Sequence, residues 1–355
     1  MRTSDPDVVA LVDDVLYQHV EEHCSVLTGV DDELAPLTDS LRGAVGGGKR
    51  VRATFCLLGA QGASGGHRVP GVVEAAAAIE LFHLAALVHD DLMDNSADRR
   101  GRPTVHRSFT EEHLRAERLG DPAAHGAAVA IMAGDLCLMW SDDLIARGLA
   151  TADGTVAGAA RREWQGMRDE VFAGQFLDML SQTQSATSKH RALQVLRFKS
   201  AEYTVARPLR LGGSLAGATP DLLDRFDRIG LAAGEAFQLR DDLLGVFGDP
   251  GRTGKPVIDD IREGKRTLLV AFAEERASRS ERRVLADHLG KPELTEDELR
   301  MVCEVLIRTD AARLVEERID DLADRALRGV DDLPVDDRTK AELSALIRRC
   351  VWRDA

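Results

Sequence analysis

The stretch HDDLMDNSADRRG, residues 89–101, sets four carboxylates and two adjacent arginines directly behind an apolar run at 84–88. In a helix Asp90 and Asp94 stand at i and i+4, so their carboxylates share a face. Like charges that close repel unless a cation lies between them. Mg2+ suits such a place, being a hard ion that takes oxygen ligands and keeps part of its water shell. Asp91, one residue round, can assist through water. Arg99 and Arg100 would then carry no ion-pair duty to these aspartates, and their planar forks suit a diphosphate. Metal plus arginine is a recurrent way to hold phosphate oxygens. Alone, the pattern also fits an acidic helix end followed by a charged loop, and a pair such as Asp142-Asp143 reads as surface.

A second cluster of the same kind changes the weighing. FQLRDDLL, residues 237–244, again ends an apolar segment with paired aspartates, Asp241 and Asp242, and Gln238 sits about one turn earlier on roughly the same face. The chain then runs through GDPGRTGK and EGKRT, which supply Lys255 and Lys265. Two buried helices ending in aspartates could face each other across a cavity with metal ions between them.

The elements that carry these residues read as helix after helix. Residues 71–95 are apolar almost all round, as expected of a helix in the middle of a core. Similar segments lie near 126–148, 163–182, 190–207, 221–247 and 264–275, and Gly and Pro fall in the connections between them. No strand alternation and no repeat stands out. No Pro- or Ser-rich linker divides the chain, which reads as one all-α domain over 1–355 with its motifs within about 43–270.

Composition limits the functions available. The chain has 355 residues, 44% of them hydrophobic and only 4% aromatic, with a net charge of −14. So acidic a surface speaks against nucleic-acid binding. No apolar run approaches a membrane span, and the opening MRTSDPDVV has no signal-peptide character. The five cysteines are scattered with no CxxC pair and read as reduced thiols in a cytoplasmic protein.

With these residues in view, the chain resembles the trans-type polyprenyl synthetase family of farnesyl and geranylgeranyl diphosphate synthases. The landmarks fall in order from Gly46 to about Thr267: GGGKRVR, ELFH, DDLMD with RRG, AGDLCL, GQFLD, FKSAEYT, and FQLRDDLLG with TGK and EGKRT. The resemblance implies the isoprenoid synthase fold, antiparallel helices around a deep cavity, in a homodimer. It implies condensation of isopentenyl diphosphate with an allylic diphosphate, assisted by three Mg2+. Asp90, Asp91 and Asp94 match the first metal motif and Asp241 and Asp242 the second. Arg99, Lys199, Lys255 and Lys265 match contacts to the allylic diphosphate. Lys49, Arg52, His83 and Arg100 match the isopentenyl diphosphate pocket, and Gln238 and Asp178 match polar positions near the reacting carbons.

The second motif departs from the family's common DDxxD, because its last position is Gly245. Asp241 should still ligate metal, with weaker or altered binding overall. Asp249 lies too far along a straight helix to replace the missing carboxylate. GAVGGGK at 43–49 has the frame of a P-loop but lacks the following Ser or Thr and a preceding strand. His83 and His89 are wrongly spaced for a zinc pair. Tyr203 and Thr204 fit cavity wall or packing equally, and Arg353 reads as tail. Product length should be set one to two turns before Asp90, where Ala86 and Ala85 are small and Phe82 is the next bulky residue. That favours geranylgeranyl diphosphate, with longer products open. A terpene cyclase of the same fold and a regulatory subunit are the other readings.

Overall fold

The computed structural model describes residues 6–248, 259–291 and 293–352. They are helical almost throughout. The described chain packs as two compact units, the first running up to Arg161 and taking in Leu211–Ala218, the second made of Arg162–Arg210 and the residues from Thr219 onward.

The first unit contains α1 (Pro6–Thr28), α2 (Ala35–Val45), α3 (Val51–Ser64), α4 (Val72–Met93), α5 (Val105–Arg115) and α6 (Pro122–Leu149). The centre is α4, whose Ala75–Phe82 run is buried without interruption. α6 lies along it. Small residues let the two backbones approach. A Cβ on Gly134 would lie 2.1 Å from His89 Nε2, and one on Gly148 2.7 Å from the Gly71 carbonyl oxygen. Asp121 caps α6 by accepting from the Ala123 N–H, and Pro122 occupies a first-turn position where no N–H is needed.

α4 and α6 are both long and apolar enough to cross a membrane by length and composition. This corrects the expectation that no run approaches a span. The polar residues of α4 sit towards its ends or make specific contacts, so the middle of the helix passes the test. Glu80, 7% exposed, accepts from the Ala53 N–H at 3.1 Å and so closes the first turn of α3.

The second unit holds most of α7 (Gly154–Gln182), then α8 (Lys189–Val195), a π-helical stretch Leu196–Ala206, the start of α9 (Arg207–Leu215), and α10 (Pro220–Phe247). It continues with α11 (Asp259–Arg262), α12 (Leu268–Arg276), α13 (Arg279–His288), α14 (Glu296–Arg308), α15 (Ala311–Asp331) and α16 (Asp337–Val351). α10 presses on the π-helical stretch through two glycines. Cβ atoms on Gly230 and Gly234 would meet Ala206 Cα at 2.4 Å and Ala201 Cα at 2.6 Å. Thr219 caps α10 and Pro220 starts it. Burying Phe226 and Leu239 on its inner side contributes about 1.5–3 kcal/mol for each side chain.

Candidate active site

The first aspartate cluster sits where α4 stops. Asp94 is its C-cap and donates its N–H to the Asp90 carbonyl at 2.8 Å. Asn95, at φ 53°, turns the chain out of the helix. Asp90 and Asp94 are half-buried on the same side as His83, Ala86 and Leu87, whereas Asp91 is only 5% exposed. Beyond the helix a two-residue hairpin pairs Asp98–Arg99 with Arg102–Pro103. Its turn residues, Arg100 at φ 55° and Gly101 at φ 73°, both take the left-handed conformation that a tight hairpin needs.

That hairpin returns Arg99 to the helix end. Arg99 Nε donates to both oxygens of Asp91, at 2.9 and 3.1 Å, and Nη2 also pairs with Oδ1. This overturns the expectation that Arg99 has no ion-pair duty to the aspartates. A buried carboxylate needs a counter-charge, and the hairpin geometry supplies one. Asp90 and Asp94 remain the pair on the half-open face.

About two helical turns before Asp90, at the level of His83, lies a cation-rich pocket. Its lining includes Gly47, Arg50, Glu80, His83, Leu87 and Arg100. Burial first, and then the charges of Arg52, Arg100, Arg99 and Arg50, hold His83 far below the ordinary imidazole range. Burial and the same arginines also lower Arg100. A neutral imidazole among guanidinium groups can donate to an anion without adding to the repulsion. The loop before α3 approaches closely because Gly47 and Gly48 adopt φ 81° and 102°, and a Cβ on Gly48 would lie 3.4 Å from Arg100 Nη2. Lys49 is exposed on this loop and Arg52 is half-buried at the start of α3.

Sequence reasoning passed over Arg50 and Glu80. Arg50 is 8% exposed and donates to Asp13 at 2.7 Å and to the Val45 carbonyl at 2.9 Å, which ties the loop to α1 and α2. The available signal was Glu80 itself, a lone carboxylate inside an apolar run.

In the second unit Lys199 lies on the π-helical stretch and donates to Asp178 Oδ2 at 2.7 Å. Gly174 makes this possible, since a Cβ there would sit 2.3 Å from the Lys199 backbone nitrogen. Gln238 donates to Asp242 Oδ1 at 2.9 Å across one turn of α10. Asp241 is half-buried beside it. Lys265 bridges Glu263 at 2.6 Å and Asp260 at 3.3 Å. Tyr203 and Thr204 are both buried. Lys255, Asp249 and Arg353 lie outside the described residues.

The sequence profile of the polyprenyl synthetase family matches residues 35–306. The chain belongs to that family. It is a prenyltransferase of the prenyl diphosphate synthase class, and its fold is the isoprenoid synthase fold. Among curated relatives it is 31% identical to the geranylgeranyl diphosphate synthase of Saccharolobus solfataricus over 293 residues, 82% of each chain. It is 33% identical to the geranylfarnesyl diphosphate synthase of Aeropyrum pernix over 304 residues, 85% of this chain and 88% of that one. The crystal structure of a geranylgeranyl pyrophosphate synthase from Corynebacterium glutamicum, complexed with isoprenyl diphosphate and magnesium, superposes with a TM-score of 0.92 at 38% identity over 98% of both chains.

The family's chemistry is Mg2+-dependent, and the donors of this synthase fit the ion. All are hard carboxylate oxygens, and those of α10 are crowded with like charge. Desolvation, then the neighbouring Asp260 and Asp178 carboxylates, push Asp242 up to about 7, against the pull of Gln238 and Lys265. Such a site favours a proton or a metal ion over an empty carboxylate pair. The folded value lies above the ordinary 3.8, so the contribution of Asp242 is fully present below about 3.8 and is lost as pH rises through about 7. In chelator-treated synthase, Asp242→Asn should melt with wild type at low pH and progressively above it between these values, with a constant gap beyond. Scanning calorimetry across pH checks this. A gap that does not vary with pH would show that Asp242 does not titrate in that window.

Proposed function

We propose that this synthase condenses isopentenyl diphosphate with an allylic diphosphate and releases geranylgeranyl diphosphate. The observation that carries the reading is the anion pocket around His83. A cyclase needs one diphosphate site, whereas an elongating enzyme needs two, and the cluster of Arg52, His83 and Arg100 has the charge for the second. Asp90, Asp94, Asp241 and, less directly, Asp91 and Asp242 hold Mg2+, three ions by analogy with the family. Mg2+ held by these carboxylates would supply positive charge to the leaving diphosphate. Arg99, Lys199, Lys255 and Lys265 add positive charge to that same group. Lys49, Arg52, His83 and Arg100 orient isopentenyl diphosphate so that its double bond meets the cation. Gln238 and Asp178 keep Asp242 and Lys199 in place. The released diphosphate takes the final proton, so the chain needs no dedicated base.

A homodimer is part of the proposal. Ile131, Met132 and Met139 of α6 are each about half exposed, apolar side chains around the exposed Asp135 that a second copy would cover. The free state of all five cysteines supports a cytoplasmic setting.

Product length is tested on α4. Phe82 is 1% exposed and Ala85 fully buried, while Ala86 is half-open on the side of Asp90. A bulky residue at 85 would overpack the core, so Ala86 is the position to enlarge. With geranyl diphosphate as starter, wild type should give the twenty-carbon product, Ala86→Phe should stop at fifteen carbons, and Phe82→Ala should lengthen the product while also lowering the melting temperature. Reversed-phase chromatography of the dephosphorylated products decides it. An unchanged distribution in both variants would place the chain-length stop away from α4.

A further inference from the structure

We infer that Asp260 supplies the second aspartate cluster with the third carboxylate that Gly245 leaves out. The inference rests on the reading of Asp241 and Asp242 as Mg2+ ligands. Gly245 stands one turn beyond Asp241 on α10, half-buried. A Cβ built on it would lie 2.0 Å from Asp260 Oδ2 and 3.0 Å from Asp260 Cγ. The first distance is shorter than real Cβ atoms show and the second is a tight contact, so the Asp260 carboxylate occupies the space where a side chain at 245 would begin. The glycine is room made for a carboxylate that arrives from elsewhere in the chain.

The position of Asp260 is set by its own turn. Its carbonyl accepts from the Lys265 N–H at 3.1 Å, and Gly264, at φ 72°, closes the bend between them. Its two oxygens have different surroundings. Oδ1 faces Lys265 Nζ at 3.3 Å, and Oδ2 is turned to α10 at Gly245. Lys265 is held more closely by Glu263, at 2.6 Å, so Asp260 is not needed as its sole counter-charge. Asp260 is also near enough for its charge to act on Asp242. A carboxylate so placed presents a hard oxygen to the shell of an ion bound at Asp241, directly or through one of the ion's waters.

A rival account makes Asp260 a salt-bridge partner of Lys265 and nothing more. Mn2+ standing in for Mg2+ separates the two, with free ion counted by electron paramagnetic resonance. The full chain is titrated in the presence of an allylic thiolodiphosphate, which resists ionisation. Asp260→Asn, close in shape to the native residue, should weaken Mn2+ binding about tenfold or more. The exchange variant Gly245→Asp/Asp260→Gly, which returns the carboxylate to α10, should recover most of that loss. Asp241→Ala should weaken binding at least as much as Asp260→Asn. If Asp241→Ala loses affinity and Asp260→Asn does not, the inference is overturned and the reading of the cluster stands. An exchange variant no better than Asp260→Asn, yet melting like wild type, also overturns it. If Asp241→Ala binds like wild type, the reading of the second cluster is itself wrong.

Discussion

Asp90→Ala and Asp241→Ala should each lower kcat by about a hundredfold to a thousandfold or more, because each removes a carboxylate that holds positive charge where the leaving group becomes anionic. Both aspartates are half-buried in the last two turns of a helix whose preceding turns are packed, so the substitution removes charge without opening the core. Asp142→Ala is the control. Asp142 belongs to an equally acidic pair but is exposed on α6, and its turnover should stay within a factor of two, roughly the scatter of surface substitutions. Steady-state turnover at saturating Mg2+ and both substrates reads the difference. Near-normal turnover in Asp90→Ala would remove the first cluster from the chemistry.

The second large effect is a division between substrates. Arg52→Ala and His83→Ala should raise the KM for isopentenyl diphosphate about tenfold or more while changing that for the allylic substrate little, since a charge-assisted hydrogen bond is worth roughly 1.5–3 kcal/mol. Lys199→Ala should do the reverse. It also strands Asp178, which is 7% exposed and bonded to Lys199, so a fall in melting temperature should accompany it. Lys199→Ala/Asp178→Asn should regain the stability and not the allylic KM. Initial-rate measurements with each substrate varied in turn check this. Equal shifts on both substrates from all three single variants would contradict the assignment of two pockets.

The helices were legible because they are long and strongly apolar, and α4, α6 and α10 lie within a few residues of where the sequence puts them. The π-helical geometry of Leu196–Ala206 was not. Its residues give the same local pattern as an α-helix, and the widened turn arises where Ala201 and Ala206 meet the glycines of α10. The first aspartate cluster could be read as a face because i and i+4 spacing alone defines it. The Arg99–Asp91 pair could not, since it depends on two left-handed residues that fold the hairpin back. His83 reads as an ordinary core histidine in isolation. Its low basicity comes first from burial and then from arginines brought in by the α3 loop and the hairpin. Asp260 escaped for the same reason. Sequence distance along a straight helix ruled out Asp249, but the chain returns to α10 later than that count could foresee.

One incubation decides whether this synthase joins two diphosphates. Purified protein is given farnesyl diphosphate and Mg2+, with and without isopentenyl diphosphate, and a third sample has both substrates plus a chelator. Products are dephosphorylated and identified by mass spectrometry. An allylic product lengthened by five carbons should form only when both substrates and Mg2+ are present. Hydrocarbon formed from farnesyl diphosphate alone would make the protein a cyclase, and a protein inactive until a partner chain is added would make it a subunit. Either result would rule out an elongating synthase that acts on its own.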